Sequence, residues 1–269
     1  MKAYAKLNLA LLVGPLRDDG KHEVATVLQR LELCDEVEVE RAERGPVDVQ
    51  TAVEGASPPI VDNIVARALV AISREAAVEP AWRASIDKRI PVAAGLGGGS
   101  SDAAAALRLA NGLLDELVPD ASLRRLARAL GADVPFFLAT GPQLGTGDGS
   151  TLHPVDPPQA WTCLLLLPDG AAKESTATVY GRYEGEHGFA ARRARLLDAI
   201  EAGDLAALPP NDLVSSPFAT ELRGLGAFRA DVTGAGPVVY GLFRERRMAD
   251  AAAATLAGRG RTWITEPAW

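Results

Sequence analysis

Cysteine and histidine are scarce in this chain of 269 residues, with two and three copies respectively. Cys34 and Cys163 form no Cys-x-x-Cys pair, and neither stands at metal-ligand spacing from His22, His153 or His187, which excludes a disulfide framework and a zinc cluster. Two reduced thiols packed in strands are the expectation, and they fit a reducing cytoplasm. Long apolar runs are missing as well. The longest, such as Leu164–Leu167, fall far below the roughly 20 residues a membrane-spanning helix needs. The opening Met-Lys-Ala-Tyr-Ala-Lys-Leu-Asn lacks the apolar centre of a secretory leader. Basic residues are in deficit: 28 Lys and Arg against 35 Asp and Glu give a net charge of −7. The broad basic surface of a nucleic-acid binder is therefore not available. That balance still allows an anionic small molecule, since a few amides and lysines can hold a phosphate within an acidic protein. The expectation is a cytoplasmic protein, monomeric or weakly dimeric, with a small-molecule partner and neither nucleic acid nor membrane.

What is present suits a globule of one large domain or two modest ones, with 48% hydrophobic and 23% charged residues. Residues 4–13 and 23–33 read as extended, and residues 36–41 alternate valine with charge as a half-buried strand does. Further strands are expected over 47–53, 82–88, 162–167, 229–233, 238–243 and 262–265. Asp62 is placed to cap a helix running to about Ala77, with Ile64, Ala68 and Ile72 on one face. A second helix is expected over 100–117, capped by Ser100 or Ser101 with Asp102 in its first turn. A third begins at Ser122 and stops near Gly131. Others are expected over 190–202, mainly over 211–224, and over 246–257. Residues 148–159, with their His-Pro and Pro-Pro pairs, read as a crossover between two lobes, 1–155 and 156–269. Strands and helices mix without regular βαβ alternation, which favours an α+β fold.

The densest chemical signal is Pro91-Val-Ala-Ala-Gly-Leu-Gly-Gly-Gly-Ser-Ser-Asp102, with four glycines between Gly95 and Gly99. Glycine admits positive φ and close approach of a ligand, so successive amides can converge on an anion. The helix that follows aims its free N–H groups and positive dipole end at the same place. A Walker A loop would need Gly-Lys-Ser/Thr, and no lysine follows these glycines. A dinucleotide fingerprint would need a third glycine where Ser100 stands, near the first strand of a βαβ unit. A nucleotide-phosphate loop is the reading that remains, beside a purely structural turn.

This loop resembles the second motif of the GHMP kinase superfamily, and two further segments fall in the family's order. Ala5-Lys6-Leu7-Asn8-Leu9 is similar to its first motif, and Val232-Thr-Gly-Ala-Gly-Pro237 to its third. Asp19-Gly20-Lys21-His22, Gly131-Ala-Asp-Val-Pro-Phe-Phe137 and Asn211-Asp-Leu213 extend the likeness over nearly the whole chain. They point to the branch that phosphorylates the 2-hydroxyl of a cytidine-diphosphate-linked methylerythritol on the non-mevalonate route to isoprenoids.

The resemblance implies a two-lobed fold, with an N-terminal lobe like ribosomal protein S5 domain 2, a ferredoxin-like C-terminal lobe and an active site in the cleft between them. It implies ATP and Mg²⁺, with Pro91, Ala93, Ala94, Gly95, Leu96, Gly97, Gly98, Gly99, Ser100 and Ser101 around the phosphates. Ser101 is the candidate Mg²⁺ contact, and no other metal ligand is assigned. Asn63 and Lys88 resemble residues lining the adenine pocket; read alone, Asn63 could equally belong to a helix cap and Lys88 be a solvated charge. Asp133 matches the family's base, with the alternative of a plain helix-end turn, and Lys6 matches the lysine beside it. Asn8 lies on the same strand face as Lys6 and lines the acceptor site in the family. His22 would read the cytosine edge, Tyr180 would stack on it, and Thr233, Gly234 and Gly236 would border the substrate. Three departures stand out. Lys21 replaces a usual tyrosine, which removes an aromatic face from the base. Gly145-Thr-Gly-Asp-Gly-Ser150 and Thr233-Gly-Ala-Gly236 depart from the family's turns, the latter by one hydroxyl. They leave open another GHMP kinase with a different alcohol acceptor, or a binding protein that performs no transfer.

Overall fold

The computed structural model describes residues 1–43, 45–53, 63–171, 175–183 and 188–268. In chain order its elements are β1 (Lys2–Leu16), β2 (His22–Arg41), β3 (Asp48–Val53), α1 (Ile64–Glu75), β4 (Trp82–Lys88), α2 (Gly98–Gly112), α3 (Asp120–Leu130) and α4 (Val134–Leu138). There follow β5 (Gln143–Gly147), β6 (Thr151–Pro154), β7 (Thr162–Pro168), α5 (Thr176–Gly181), α6 (Phe189–Glu201), α7 (Pro217–Gly224), β8 (Arg229–Val232), β9 (Val239–Phe243), α8 (Arg246–Thr255), β10 (Gly260–Thr265) and β11 (Pro267–Ala268). The mixture is α+β, as expected. Two compact units divide the chain: residues 1–5, 33–92 and 97–140 form one, and residues 6–32, 93–96 and 141–269 the other. The break expected near residue 155 does not fall between them. Residues 141–155 group with the C-terminal part, together with 6–32 and 93–96. The cause is the length of the first two strands, 15 and 20 residues, each of which contributes to both units.

In the first unit the C-terminal half of β2 runs antiparallel to β4, with Val37 opposite Ile86 and Val39 opposite Ala84, and β3 lies parallel to β4 on its other side. Helices α1 to α4 pack on one another. Val65, Leu69, Ile72, Ala103, Leu107, Ala110, Val134 and Phe136 are buried in this unit. The run of alanines in α2 suits it, since alanine has the best helix propensity and lets neighbouring helices approach closely. Trp82 is fully buried, and its indole N–H donates to Ser73 Oγ at 2.6 Å, which in turn donates to the Leu69 carbonyl.

Helix boundaries differ from expectation at identifiable points. Asp62 and His187 lie outside the described residues. The N-cap of α1 is Asn63, whose side chain accepts from the Val65 amide at 2.9 Å. Helix α2 starts at Gly98 rather than at the serines, because Gly97 takes the left-handed cap conformation and Gly98 and Gly99 open the first turn. It ends at Gly112, since Asp115 and Glu116 both adopt positive φ. Helix α3 begins at Asp120, ahead of Ser122, with Pro119 as its N-cap.

In the second unit the N-terminal half of β2 pairs antiparallel with β5, Val24 opposite Gly147, and β5 turns back into β6. The expected crossover at 148–159 therefore begins as a hairpin: Gly147 and Gly149 supply the positive φ of the turn, and Asp148 Oδ1 accepts from the Ser150 amide and hydroxyl. Strand β11 pairs with β2 at Leu31 and Arg30. A separate antiparallel sheet has the order β10-β7-β9-β8. Helices α7 and α8 cover it, burying Leu164, Leu166, Leu222, Val239, Phe243 and Leu256. Residues 211–216 are not helical, because Asn211 and Asp212 spend their side chains on backbone groups elsewhere.

Arg229, only 6% exposed, is the polar hub of this unit. Its guanidinium donates to the carbonyls of Leu9, Leu208 and Pro209 at 2.8, 2.6 and 2.9 Å and to the Tyr240 hydroxyl at 2.9 Å. Burial pushes the Tyr240 phenol up to about 12, so it stays protonated and donates to the Leu9 carbonyl. Removing one partner of a buried charged network leaves several groups unsatisfied at once. Arg229→Met should therefore cost about 3–5 kcal/mol and lower the thermal midpoint by roughly 10 °C. Differential scanning calorimetry of the variant checks this, and a shift below about 2 °C would refute it.

Candidate active site

Three segments far apart in sequence meet inside the second unit. The Lys6 amide donates to the Leu96 carbonyl at 2.8 Å, which ties β1 to the glycine loop. The Lys6 ammonium donates to Asn8 Oδ1 on the same strand face. Asn8 in turn donates from Nδ2 to Thr26 Oγ1 at 2.8 Å, and its amide donates to Thr233 Oγ1 at 3.1 Å. Thr233, wholly buried, closes the turn to Val238 and accepts from the Gly236 amide at 3.1 Å. Asn211 holds the same turn from outside, its Nδ2 donating to the carbonyls of Val232 and Gly234 at 2.9 and 2.7 Å.

Space requires a glycine at Gly95, and a left-handed φ of +59° favours one at Gly234. A Cβ on Gly95 would lie 2.9 Å from the carbonyl oxygens of both Gly236 and Thr233, and Gly95 has φ +81°. A Cβ on Gly234 would lie 3.2 Å from the Lys6 ammonium and 3.4 Å from Asn8 Oδ1. Ala93, Gly95 and Gly97 alternate positive φ with ordinary residues, the pattern by which successive amides turn to one side. Ala94 and Leu96 anchor the loop by burial, Pro91 is half-buried, and Ser100 and Ser101 lie in the first turn of α2.

In the first unit, α2 opens over a buried charge cluster. Lys88, 5% exposed, donates to Asp35 Oδ2 at 2.5 Å and to Asp102 Oδ2 at 2.7 Å, so a solvated Lys88 is ruled out. Asp35 Oδ1 also accepts from the amides of Arg89 and Ile90, at 2.6 and 2.8 Å. The Lys88 ammonium lies 3.1 Å from where a Cβ on Gly98 would stand, directly beneath the start of α2. Asp102, expected in the first turn, sits instead in the second, with Oδ1 buried and unpartnered. Burial, against the pull of Lys88 and with Asp35 nearby, raises the Asp102 carboxyl to about 7. Asp133 occupies the N-cap position of α4 without a side-chain capping bond, half-buried. Asn63 spends its oxygen on the α1 cap and turns Nδ2 towards Thr51 Oγ1 at 3.5 Å.

The remaining candidates cluster in the second unit around His22, the first residue of β2. Its Nδ1 lies 2.8 Å from the Gly14 carbonyl, so the neutral ring carries its proton there and presents Nε2 as an acceptor. Tyr180 on α5 lies 6.1 Å away at a 34° tilt. Tyr183, which no sequence motif marked, lies 5.8 Å away edge-on at 89°. Lys21 is exposed and paired with Asp148 at 2.6 Å. Burial opposes ionisation of Asp148, but Lys21 and Ser150 outweigh it and hold the carboxyl down at about 2. Sequence reasoning also missed Thr26, Asp35, Arg192 and Asp212. Of these only Asp212 lay in a motif, Asn211-Asp-Leu213.

Comparison with known proteins shows the family of the chain. The family described as GHMP kinases N terminal domain matches residues 63–141. The 4-diphosphocytidyl-2-C-methyl-D-erythritol kinase of Geobacter sulfurreducens is 37% identical, over 98% of this chain and 96% of its own length. The kinase of the same name from Nocardia farcinica is 38% identical, over 97% and 90%. A crystal structure of 4-(cytidine 5'-diphospho)-2C-methyl-D-erythritol kinase superposes with a TM-score of 0.83 at 30% identity, covering 100% of this chain and 99% of that one. The mevalonate kinase of L. major, solved with R-mevalonate, reaches 0.74 at 17% identity over 99% and 95%, a likeness of fold alone.

The Asp102 cluster makes stability pH-dependent. A carboxyl raised in the folded state binds its proton more tightly than in the unfolded chain, so its stabilising effect is full below about pH 4 and lost as pH rises through about 7. Between pH 5 and 8 the wild type should lose roughly 2–3 kcal/mol that Asp102→Asn does not. Urea melts of the ligand-free protein at both pH values check this, and parallel losses in the two proteins would contradict it.

Proposed function

Because the chain belongs to the 4-diphosphocytidyl-2-C-methyl-D-erythritol kinase family, we propose that it transfers the γ-phosphoryl group of ATP to the 2-hydroxyl of 4-diphosphocytidyl-2-C-methyl-D-erythritol, a step of the non-mevalonate isoprenoid pathway. One observation carries the reading at atomic level: Lys6, Gly95 and the Thr233–Gly236 turn converge within one unit at a point where side chains are excluded. Such a junction leaves amides and one ammonium as its ligand groups, the donor set a polyphosphate requires.

The residues present suit ATP. Amides from Gly95 to Ser101 and the N-terminus of the 15-residue helix α2 hold the phosphates, and Gly97 caps that helix without a side chain that would compete for its free N–H groups. Among the described residues no group of three or more His, Cys, Asp or Glu could hold a metal ion. This suits Mg²⁺, which is commonly bound through phosphate oxygens, waters and one or two protein oxygens. The Ser101 hydroxyl is the side chain we assign to it, and Mg²⁺ when bound would spread the charge of the phosphates.

Phosphoryl transfer asks a protein chiefly for alignment and charge stabilisation. The acceptor is a tertiary alcohol, weakly acidic and crowded, so a base at its proton helps. In our reading Asp133 takes that proton as the oxygen bonds to the γ-phosphorus, the bond to the β–γ bridging oxygen breaks, and ADP leaves. The Lys6 ammonium stabilises the charge that develops, and Asn8 and Thr233 fix its direction. His22 and Tyr180 take the cytosine, with Nε2 of His22 accepting from the base's amino group. Asn63, at the N-cap of α1, and Lys88, beneath the start of α2, serve the nucleotide. Two buried thiols suit a cytoplasmic setting, and a monomer or weak homodimer would suffice.

Asp133→Asn should lower turnover at least about a hundredfold while ATP affinity stays within about threefold. ADP release measured with a coupled assay, beside nucleotide titration calorimetry, checks both, and retained turnover would remove Asp133 as the base. Lys21 offers a stem and a neutralised ammonium where an aromatic face would serve a base better. Lys21→Tyr should therefore lower KM for the cytidine substrate by roughly threefold to tenfold. An unchanged KM would show that this position does not touch the base.

A further inference from the structure

The Asn211-Asp212 pair faces two ways. Asn211 braces the Thr233–Gly236 turn, whereas Asp212 serves β1 and α6. Asp212 Oδ2 accepts from the Val13 amide at 2.8 Å, and the Asp212 amide donates back to the Leu11 carbonyl at 3.0 Å. Its other oxygen accepts from Arg192 Nη1. Arg192 Nη2 then donates to the Val13 carbonyl at 3.2 Å and to the Tyr183 hydroxyl at 3.1 Å, and that hydroxyl donates to the same carbonyl at 2.9 Å. Val13 is thus gripped at both its N–H and its C=O. The next residue, Gly14, carries the carbonyl that fixes His22, and a Cβ there would lie 2.9 Å from the Phe189 ring. The side chains of Arg192 and Asp212 are only 20% and 11% exposed, so this is a built, largely desolvated pair rather than a surface contact.

We infer that Arg192 and Asp212 are positioning residues for the base end of the substrate: by gripping Val13 and the Tyr183 hydroxyl they fix the Gly14 carbonyl, and with it the ring orientation and tautomer of His22. The inference rests on the reading of His22 as the group that recognises the base. Neither residue need touch the substrate. Arg192 is suited to the task because its planar fork satisfies a carboxylate, a carbonyl and a phenol at once, which a lysine cannot do. Loosening the grip frees Gly14 and Tyr183 together, so His22 loses both its Nδ1 acceptor and its edge-on neighbour. The phosphate-holding turn keeps its own brace in Asn211, so the two ends of the ligand respond separately.

The test is a split between substrates. In Arg192→Met the KM for the cytidine substrate should rise about tenfold or more, with kcat and the KM for MgATP within about twofold, the mark of lost ground-state binding. Tyr183→Phe keeps the ring and removes only the hydroxyl; it should raise the same KM about threefold, and it carries the test if Arg192→Met does not fold. Calorimetric titration with cytidine 5′-diphosphate and, separately, with ATP reads binding without turnover. Variants that bind cytidine 5′-diphosphate as the wild type does, or that weaken towards both ligands alike, would overturn the inference. A wild type that binds ATP but no cytidine 5′-diphosphate would overturn the reading beneath it, and the inference with it.

Discussion

Two backbone segments approach within the second unit until no side chain fits between them. Gly95 lies against the carbonyls of Thr233 and Gly236, and Gly234 lies against Lys6 and Asn8. Much of the site's chemistry follows from this steric limit. Where a Cβ is excluded, backbone amides become the available ligand groups and can come close to an anion. Ordering so many glycines is costly in chain entropy. The compensation is local, in hydrogen bonds from Asn8, Thr233 and Asn211 that close around the junction.

A second constraint concerns charge placed where water is excluded. Lys88 with Asp35 and Asp102, and Arg229 with its ring of carbonyls, are buried, and neither is a cheap way to stabilise a fold. Their value is geometric. Lys88 fills the space beneath Gly98 with a group that cannot slide without breaking two ion pairs, and Arg229 ties Leu9 of β1 to the 205–209 segment and to β9. An apolar side chain of similar volume would pack there without fixing a direction. Burial disfavours the charged form of Asp102, and the second carboxylate, Asp35, adds to it against the pull of Lys88, which is why Asp102 holds its proton to near neutrality.

Much of this was legible in the residues. The strand expected over 82–88 matches β4 at both ends, and the three glycine and lysine motifs marked the segments that converge. What stayed hidden has physical reasons. Lys88 falls in phase with the buried Trp82, Ala84 and Ile86, yet a lysine at a strand end reads as a solvated charge until its partner Asp35, more than fifty positions away, is brought beside it. The serines after the glycine run look like ideal caps, yet the left-handed Gly97 starts the helix before them. The stretch Gly145–Ser150 stands out in the sequence only as a departure from the family's turn, yet Gly145 to Gly147 belong to β5, and Gly145 and Thr146 pair with Leu152 and Thr151 of β6. Arg192 and Tyr183 carry no motif at all. Their roles depend on a tertiary bond to Val13 that local spacing cannot encode.

Asn211 and Asp212 show how a short irregular segment can organise two chemistries. Helical periodicity continued into this stretch would have turned both side chains outward; instead Asn211 Oδ1 accepts from the Leu213 amide and stops the helix from forming until Pro217. That local bond frees the Asn211 amide group for the phosphate-side turn and leaves Asp212 to meet β1 and Arg192. Adjacent residues thereby brace two separate parts of the unit, the Thr233–Gly236 turn and β1, without sharing a partner. Their energetic effects should be nearly independent despite their being neighbours in sequence, because coupling follows shared contacts rather than chain distance. The proposed base end of the site could thus be altered by substitution, at Lys21 and Asp148 for example, without moving the glycine junction.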